Sequence, residues 1–124
     1  MPNNILHWFE EERYFEKVSE EQYIKDIRAM FQSEITEEDL KKELKDIELP
    51  TRATQNSAGY DFHAPCDIII VPNHTVLIPT GIKVKMMPDE ILSLYPRSSL
   101  GFKYNIRLAN TIGIVDAKRK YIYE

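Results

Sequence analysis

Three short stretches of this chain hold the residue types from which phosphate and nucleotide chemistry is built. Pro96-Arg-Ser-Ser-Leu-Gly101 joins two hydroxyls, a guanidinium and a glycine after a strand-like run. A bend there exposes successive backbone amides that converge on an anion. Ser98 and Ser99 add donors, and Arg97 adds a fixed positive fork suited to phosphate or carboxylate. A Ser-Ser turn more often caps backbone groups, so this stretch alone does not decide. In Leu108-Ala-Asn-Thr-Ile-Gly-Ile-Val-Asp116, residues Asn110 to Gly113 read as a hairpin turn with Gly113 at positive φ. Peptide edges of such a hairpin, facing a cleft, can read a flat base. Asp116 then leaves an apolar strand, where desolvation would tune its basicity; a polar residue merely ending a strand is the competing reading. In Ser57-Ala-Gly-Tyr-Asp61, small residues permit close backbone approach, and Asp61 offers hard oxygen to Mg²⁺ or its bound waters. His7, His63 and His74 show no zinc-ligand spacing, and Cys66 has no upstream base to mark it as a nucleophile.

The elements that must position these residues fall into two kinds. Leu6, Phe9, Phe15 and Val18, with Trp8, have roughly helical spacing. Ser19-Glu-Glu-Gln22 has the form of a capping box ahead of Tyr23, Ile24, Ile27, Met30 and Phe31, one helical face. Thr36-Glu-Glu-Asp39 starts a further helix with Leu40, Leu44 and Ile47 on one stripe, and Pro50 closes the region. Three short helices are expected over residues 1–48. Such acidic amphipathic helices usually pack one stripe and solvate the rest; a docking surface for another protein is the alternative. From Leu49 the pattern becomes short β segments: Tyr60 to Ala64, Asp67 to Val71, Thr75 to Pro79, Ile82 to Met86 and Ile91 to Tyr95. Pro72-Asn73, Thr80-Gly81 and Pro88-Asp89 punctuate them as turns. Regular short strands without intervening helices imply a mainly β sandwich, barrel or jelly roll over residues 49–124.

Charge divides the chain at the same place. The first 50 residues hold 14 of the 20 acidic residues and 7 of the 16 basic ones, leaving 6 and 9 for the rest. The acidic front argues against nucleic-acid binding, and the mildly basic back suits a small anionic ligand. A mean hydropathy of −0.41 is that of a soluble protein. The absence of a membrane-length apolar run or a basic leader, together with a single cysteine, points to a reducing, cytoplasmic setting.

SAGYDF, PTGIKVKM, PRSSLGFK and LANTIGIVDA, in this order and spacing, closely resemble the trimeric dUTPases (dUTP diphosphatases) over about residues 49 to 117. The related dCTP deaminases share an Arg-Ser-Ser loop, but Ala-Gly-Tyr-Asp and Gly-Ile-Val-Asp look like the diphosphatase side. The resemblance implies a jelly-roll (β-clip) homotrimer with active sites between subunits, hydrolysing dUTP to dUMP and diphosphate with Mg²⁺. On the family's pattern Asp116 matches the carboxylate that orients and deprotonates the attacking water, and Asp61 the one associated with the metal-bound waters. Ser98, the Ser99 amide and neighbours up to Gly101 would hold the phosphates, with Arg97 supporting them. Ala109, Asn110, Thr111, Gly113 and Ile114 match the hairpin that reads uracil.

The pattern departs from the family after Ala117. Arg119 stands in the slot of the tyrosine that stacks under the deoxyribose, and Tyr121 falls two residues late. The family's fourth motif and its glycine-rich closing arm do not follow. The expectation is therefore a C-terminally truncated dUTPase, with catalysis impaired by that loss. The alternative is a non-catalytic module that binds a partner through residues 1–48.

Overall fold

A computed structural model of the chain describes residues 13–31, 34–117 and 121–123. Its elements run β1 (Tyr14–Lys17), α1 (Glu20–Met30), α2 (Glu37–Asp46), β2 (Pro79–Lys85), β3 (Ile91–Leu94), α3 (Ser98–Tyr104), β4 (Gly113–Asp116) and β5 (Tyr121–Tyr123). All strand pairing is antiparallel: β1-β2-β5 form one sheet and β3-β4 another. The architecture is thus mainly small antiparallel sheets behind a short helical front, as expected.

Both helix starts expected from sequence are made. Ser19 Oγ accepts from the Gln22 amide at 3.1 Å, and Thr36 Oγ1 from the Asp39 amide at 3.2 Å. The reciprocal half of the first box is not, because Gln22 Nε2 turns forward to Asp26 Oδ1 at 2.7 Å. The helical spacing around Leu6 and Phe9 lies outside the described residues, but its end is corrected. Phe15 belongs to a strand paired with β2, opposite Val84. A four-residue strand cannot be told from one helical turn by periodicity, and the partner edge decides.

The core joins the two parts of the chain. Val18, Tyr23, Ile27, Leu40, Leu44 and Ile47 from the front pack with Ile82, Val84 and Val115 from the back. The apolar stripes of α1 and α2 are therefore spent inside the molecule, so neither of these described helices keeps its stripe for docking a partner. Where α1 crosses α2, the Tyr23 hydroxyl donates to Glu43 Oε1. Burial first, then Glu43's hydrogen bond and charge, push the Tyr23 pKa far above its ordinary value. An unfolded tyrosine ionises near pH ~10 while the folded one keeps its proton, so stability holds below that pH and falls above it. Tyr23→Phe is expected to lower stability by about 1 kcal/mol at neutral pH, through the lost hydrogen bond. It should also flatten the decline above pH ~10, which denaturant midpoints measured across that range will show.

Of the five expected strands, two are found: Ile82–Met86 lies largely in β2, and Ile91–Tyr95 contains β3. Tyr60–Ala64 contributes only an isolated bridge between Thr51 and Asp61. Asp67–Val71 and Thr75–Ile78 form no strand, although their residues suit one. A strand needs a paired backbone edge as well as β-forming side chains, and the described residues offer these segments none. The turn at 71–74 is as expected: the His74 amide donates to the Val71 carbonyl at 3.0 Å, and Asn73 takes φ 64° behind Pro72. The Pro88-Asp89 turn also forms, closed by Glu90 N to Met87 O at 3.1 Å.

Thr80-Gly81 is not a turn. It lies inside β2, where Gly81 adopts φ 73° beside a register irregularity, and its carbonyl accepts from the Val18 amide at 2.9 Å. A Cβ at this glycine would come within 2.7 Å of Ile47 Cδ1 and 3.3 Å of the Tyr23 ring. Gly81→Ala is expected to cost about 1–3 kcal/mol from the backbone conformation alone. A lower denaturant midpoint at unchanged slope is the check.

Candidate functional site

Asp61 is half-buried and tied to the chain by its amide, which donates to the Thr51 carbonyl at 2.8 Å. Its neighbours are held from two sides. The Arg52 guanidinium lies 5.5 Å from the Tyr60 ring, and Phe15 of β1 touches both Tyr60 and Phe62. Ser57 closes the preceding turn, its amide donating to the Thr54 carbonyl at 3.1 Å. Sequence reading missed Thr51, Arg52 and Phe15 as supports of this segment. Only the position of Thr51 just after Pro50 hinted at an extended partner.

The Arg-Ser-Ser stretch is helical rather than a bend. Arg97 is the N-cap of α3, without a side-chain capping bond. The far end closes on Asn105 at φ 55°, with bonds from Asn105 N to Gly101 O at 3.2 Å and from Ile106 N to Leu100 O at 3.0 Å, so a left-handed asparagine turns the chain back over the last helical carbonyls. Arg97, Ser98, Ser99 and Gly101 are all exposed, and a Cβ at Gly101 would meet nothing within 4 Å. The glycine reads as a loop signal in sequence, and Asn105 was the overlooked helix-stop signal.

The turn before β4 also differs in detail. The Thr111 amide donates to Leu108 O at 3.0 Å, and the Ile112 amide to Asn110 O at 2.7 Å. It is Thr111, at φ 69°, that takes the left-handed conformation, while Gly113 is buried as the first residue of β4. The i to i+2 bond across Thr111 makes it the centre of a γ-turn of the rarer, strained hand. Along β4 the faces alternate: Gly113 and Val115 point inward, Ile114 and Asp116 outward. Asp116 is therefore exposed, which corrects the expectation of a desolvated carboxylate. Period-2 alternation behind the buried Val115 places it there.

The strand register spaces these groups along the chain. Gly113 pairs with Leu94 and Asp116 with Ile91, so Asp116 lies three ladder positions, roughly 10 Å, from the end where the chain runs on to Arg97. Asp61 sits elsewhere, against β1. Ala109, Asn110 and Ile114 line an open cleft of about 1310 Å³ whose opposite wall includes Ile70, Val71 and Leu77. None of Asp61, Arg97, Ser98, Ser99, Gly101, Thr111, Gly113 and Asp116 is among its described lining. His63 faces Glu48 at 3.7 Å, and burial, helped by Glu43 and Asp67, raises the Cys66 pKa, which suits a packed thiol. Among the described residues no three His, Cys, Asp or Glu side chains cluster to hold a metal. No helix among them is long and apolar enough to cross a membrane.

The dUTPase family model matches residues 45–121, more than half of the chain. Among curated relatives, the deoxyuridine 5'-triphosphate nucleotidohydrolase of Lactococcus lactis is 41% identical over 70 residues, covering 56% of this chain and 47% of that one. The protein of the same name from Hydrogenovibrio crunogenus is 45% identical over 76 residues, covering 59% and 50%. Its Escherichia coli counterpart is 40% identical over 76 residues with the same coverage. The chain belongs to the dUTPase family. It spans about half the length of the curated relatives it matches, and residues 13–44, with β1, α1 and most of α2, precede the match.

Proposed function

We propose that the chain carries dUTP diphosphatase chemistry, the hydrolysis of dUTP to dUMP and diphosphate in cytoplasmic nucleotide metabolism. The observation that carries this reading is the family match over residues 45–121, which takes in every candidate site residue from Asp61 to Asp116. Asp116, outward on a strand anchored by buried Val115, orients a water and takes its proton as the oxygen bonds to the α-phosphorus. The bond from the α-phosphorus to the bridging oxygen breaks, and diphosphate leaves. Arg97 with the Ser98 and Ser99 donors holds the phosphate chain, with Gly101 leaving room beside it. The 109–114 turn reads the base through its backbone edge.

The donor set suits a metal that arrives with its substrate. Among the described residues Asp61 belongs to no cluster of three or more metal-ligating side chains, which fits reaching the waters of a Mg²⁺ bound mainly by triphosphate oxygens. Bound there, Mg²⁺ would offset the charge of the phosphates.

The three-position offset of Asp116 from the end of β3 that leads to Arg97, with the neighbours of Asp61 held against β1, supports a homotrimer whose sites take residues from more than one subunit. Exposed Phe102 and Tyr104 on α3, at 90% and 67%, supply apolar surface for such contacts. A jelly-roll arrangement follows from the same reading. Residues 1–48 act as an extension, whose described part packs through Val18, Tyr23, Ile27, Leu40, Leu44 and Ile47 onto the dUTPase-like part, 49–124. Diphosphate release from dUTP with Mg²⁺, beside a dCTP control and a sizing measurement, tests this. Release confined to dUTP supports the reading; a folded protein that releases none overturns it.

A further inference from the structure

We propose that Phe15, which lies outside the family match, is a positioning residue for Asp61. Phe15 is held by β1, whose pairing with β2 sets it opposite Val84. From there its ring meets Tyr60 at 5.5 Å between centroids and 59°, and Phe62 at 5.4 Å and 88°, the tilted and edge-on geometries aromatic pairs favour. Tyr60 and Phe62 flank Asp61, and in extended backbone the residues at i−1 and i+1 share a face while i takes the other. One ring gripping both neighbours therefore fixes which face residue 61 presents. The bridge to Thr51 secures the backbone at that same residue, and Arg52 covers Tyr60. Gly59 just before has no neighbour that a Cβ would touch, so the side-chain contacts beside Asp61 begin at Tyr60. The front of the chain thus reaches the first site motif through one aromatic side chain.

The consequence for catalysis rests on the role of Asp61 given above, so the test has one arm that needs no activity. Site-resolved amide exchange is compared in the wild type, Phe15→Ala and Phe15→Tyr. The Asp61 amide is expected to exchange at least ~10-fold faster in Phe15→Ala and to return toward wild type in Phe15→Tyr. The Val18 amide, bonded to Gly81 on the neighbouring strand, and the α1 amides should not move. In the second arm, the Mg²⁺ dependence of dUTP hydrolysis should shift alike in Phe15→Ala and Asp61→Asn, with no further shift in the double variant, as for residues acting through one another. Asp61 exchange unchanged in Phe15→Ala, acceleration spread over Val18 and α1, or additive shifts in the double variant would overturn the proposal. If the wild type hydrolyses no dUTP, the proposed function fails, and the exchange arm alone decides the placement of Asp61 by Phe15.

Discussion

On the proposed mechanism, Asp116→Asn is expected to slow diphosphate release from dUTP by roughly 10²–10⁴-fold, the range for removing a positioned general base. Asparagine keeps the size and shape of the side chain but cannot take the proton from the attacking water. The change lies on the outward face of β4, whereas Val115 beside it, 7% exposed, anchors the strand. The melting temperature should therefore stay within the range of surface substitutions, about ±0.5 kcal/mol in stability. Because the base acts in the transition state, the loss should fall on kcat and kcat/KM alike, with KM for dUTP little changed. Steady-state kinetics of the two proteins, with thermal unfolding alongside, check all three. A comparable loss in kcat accompanied by a large fall in melting temperature would mean Asp116 matters to the fold instead.

The second large effect lies far from any site residue. Leu40→Ala is expected to destabilise the protein by about 3 kcal/mol, within the 2–5 kcal/mol span for a buried leucine cut to alanine. Leu40 is 0% exposed and belongs to the buried cluster that also holds Tyr23, Ile27 and Leu44 of the helices and Ile82 and Val84 of β2. Removing its branched end leaves a cavity where both parts of the chain meet, and a well-packed interior closes such a gap only partly. Against a total stability of about 5–15 kcal/mol, that loss would lower the melting temperature by roughly 10 °C. Ile69→Ser, at a residue 88% exposed, serves as the control and should change little. Leu40 precedes the family match, so this result would show that the dUTPase-like strands of this chain depend on its helical front.

Much of this was legible in the residues. Ser19 and Thr36 announced their helices, because an N-cap is a local bargain between one side-chain oxygen and amides three residues on. Pro72-Asn73 announced its turn for the same reason: proline's fixed φ and asparagine's tolerance of positive φ are properties of the residues themselves. The motifs carrying Asp61, Arg97, Ser98 and Asp116 were visible as residue types at set spacings, and the family match covers them.

What the tertiary structure decided were matters of partnership. Phe15 is a strand residue because β2 offers it an edge, while Asp67 to Val71, better suited to a strand by composition, has no such edge among the described residues. Gly81 was a turn signal in sequence and became a kink inside β2, because Tyr23 and Ile47 press where a Cβ would stand. Asp116 came out exposed because its face follows from register and not from the apolar run before it. Local chemistry is written residue by residue, whereas burial, pairing and face depend on residues distant in the chain, and only the folded molecule brings those together.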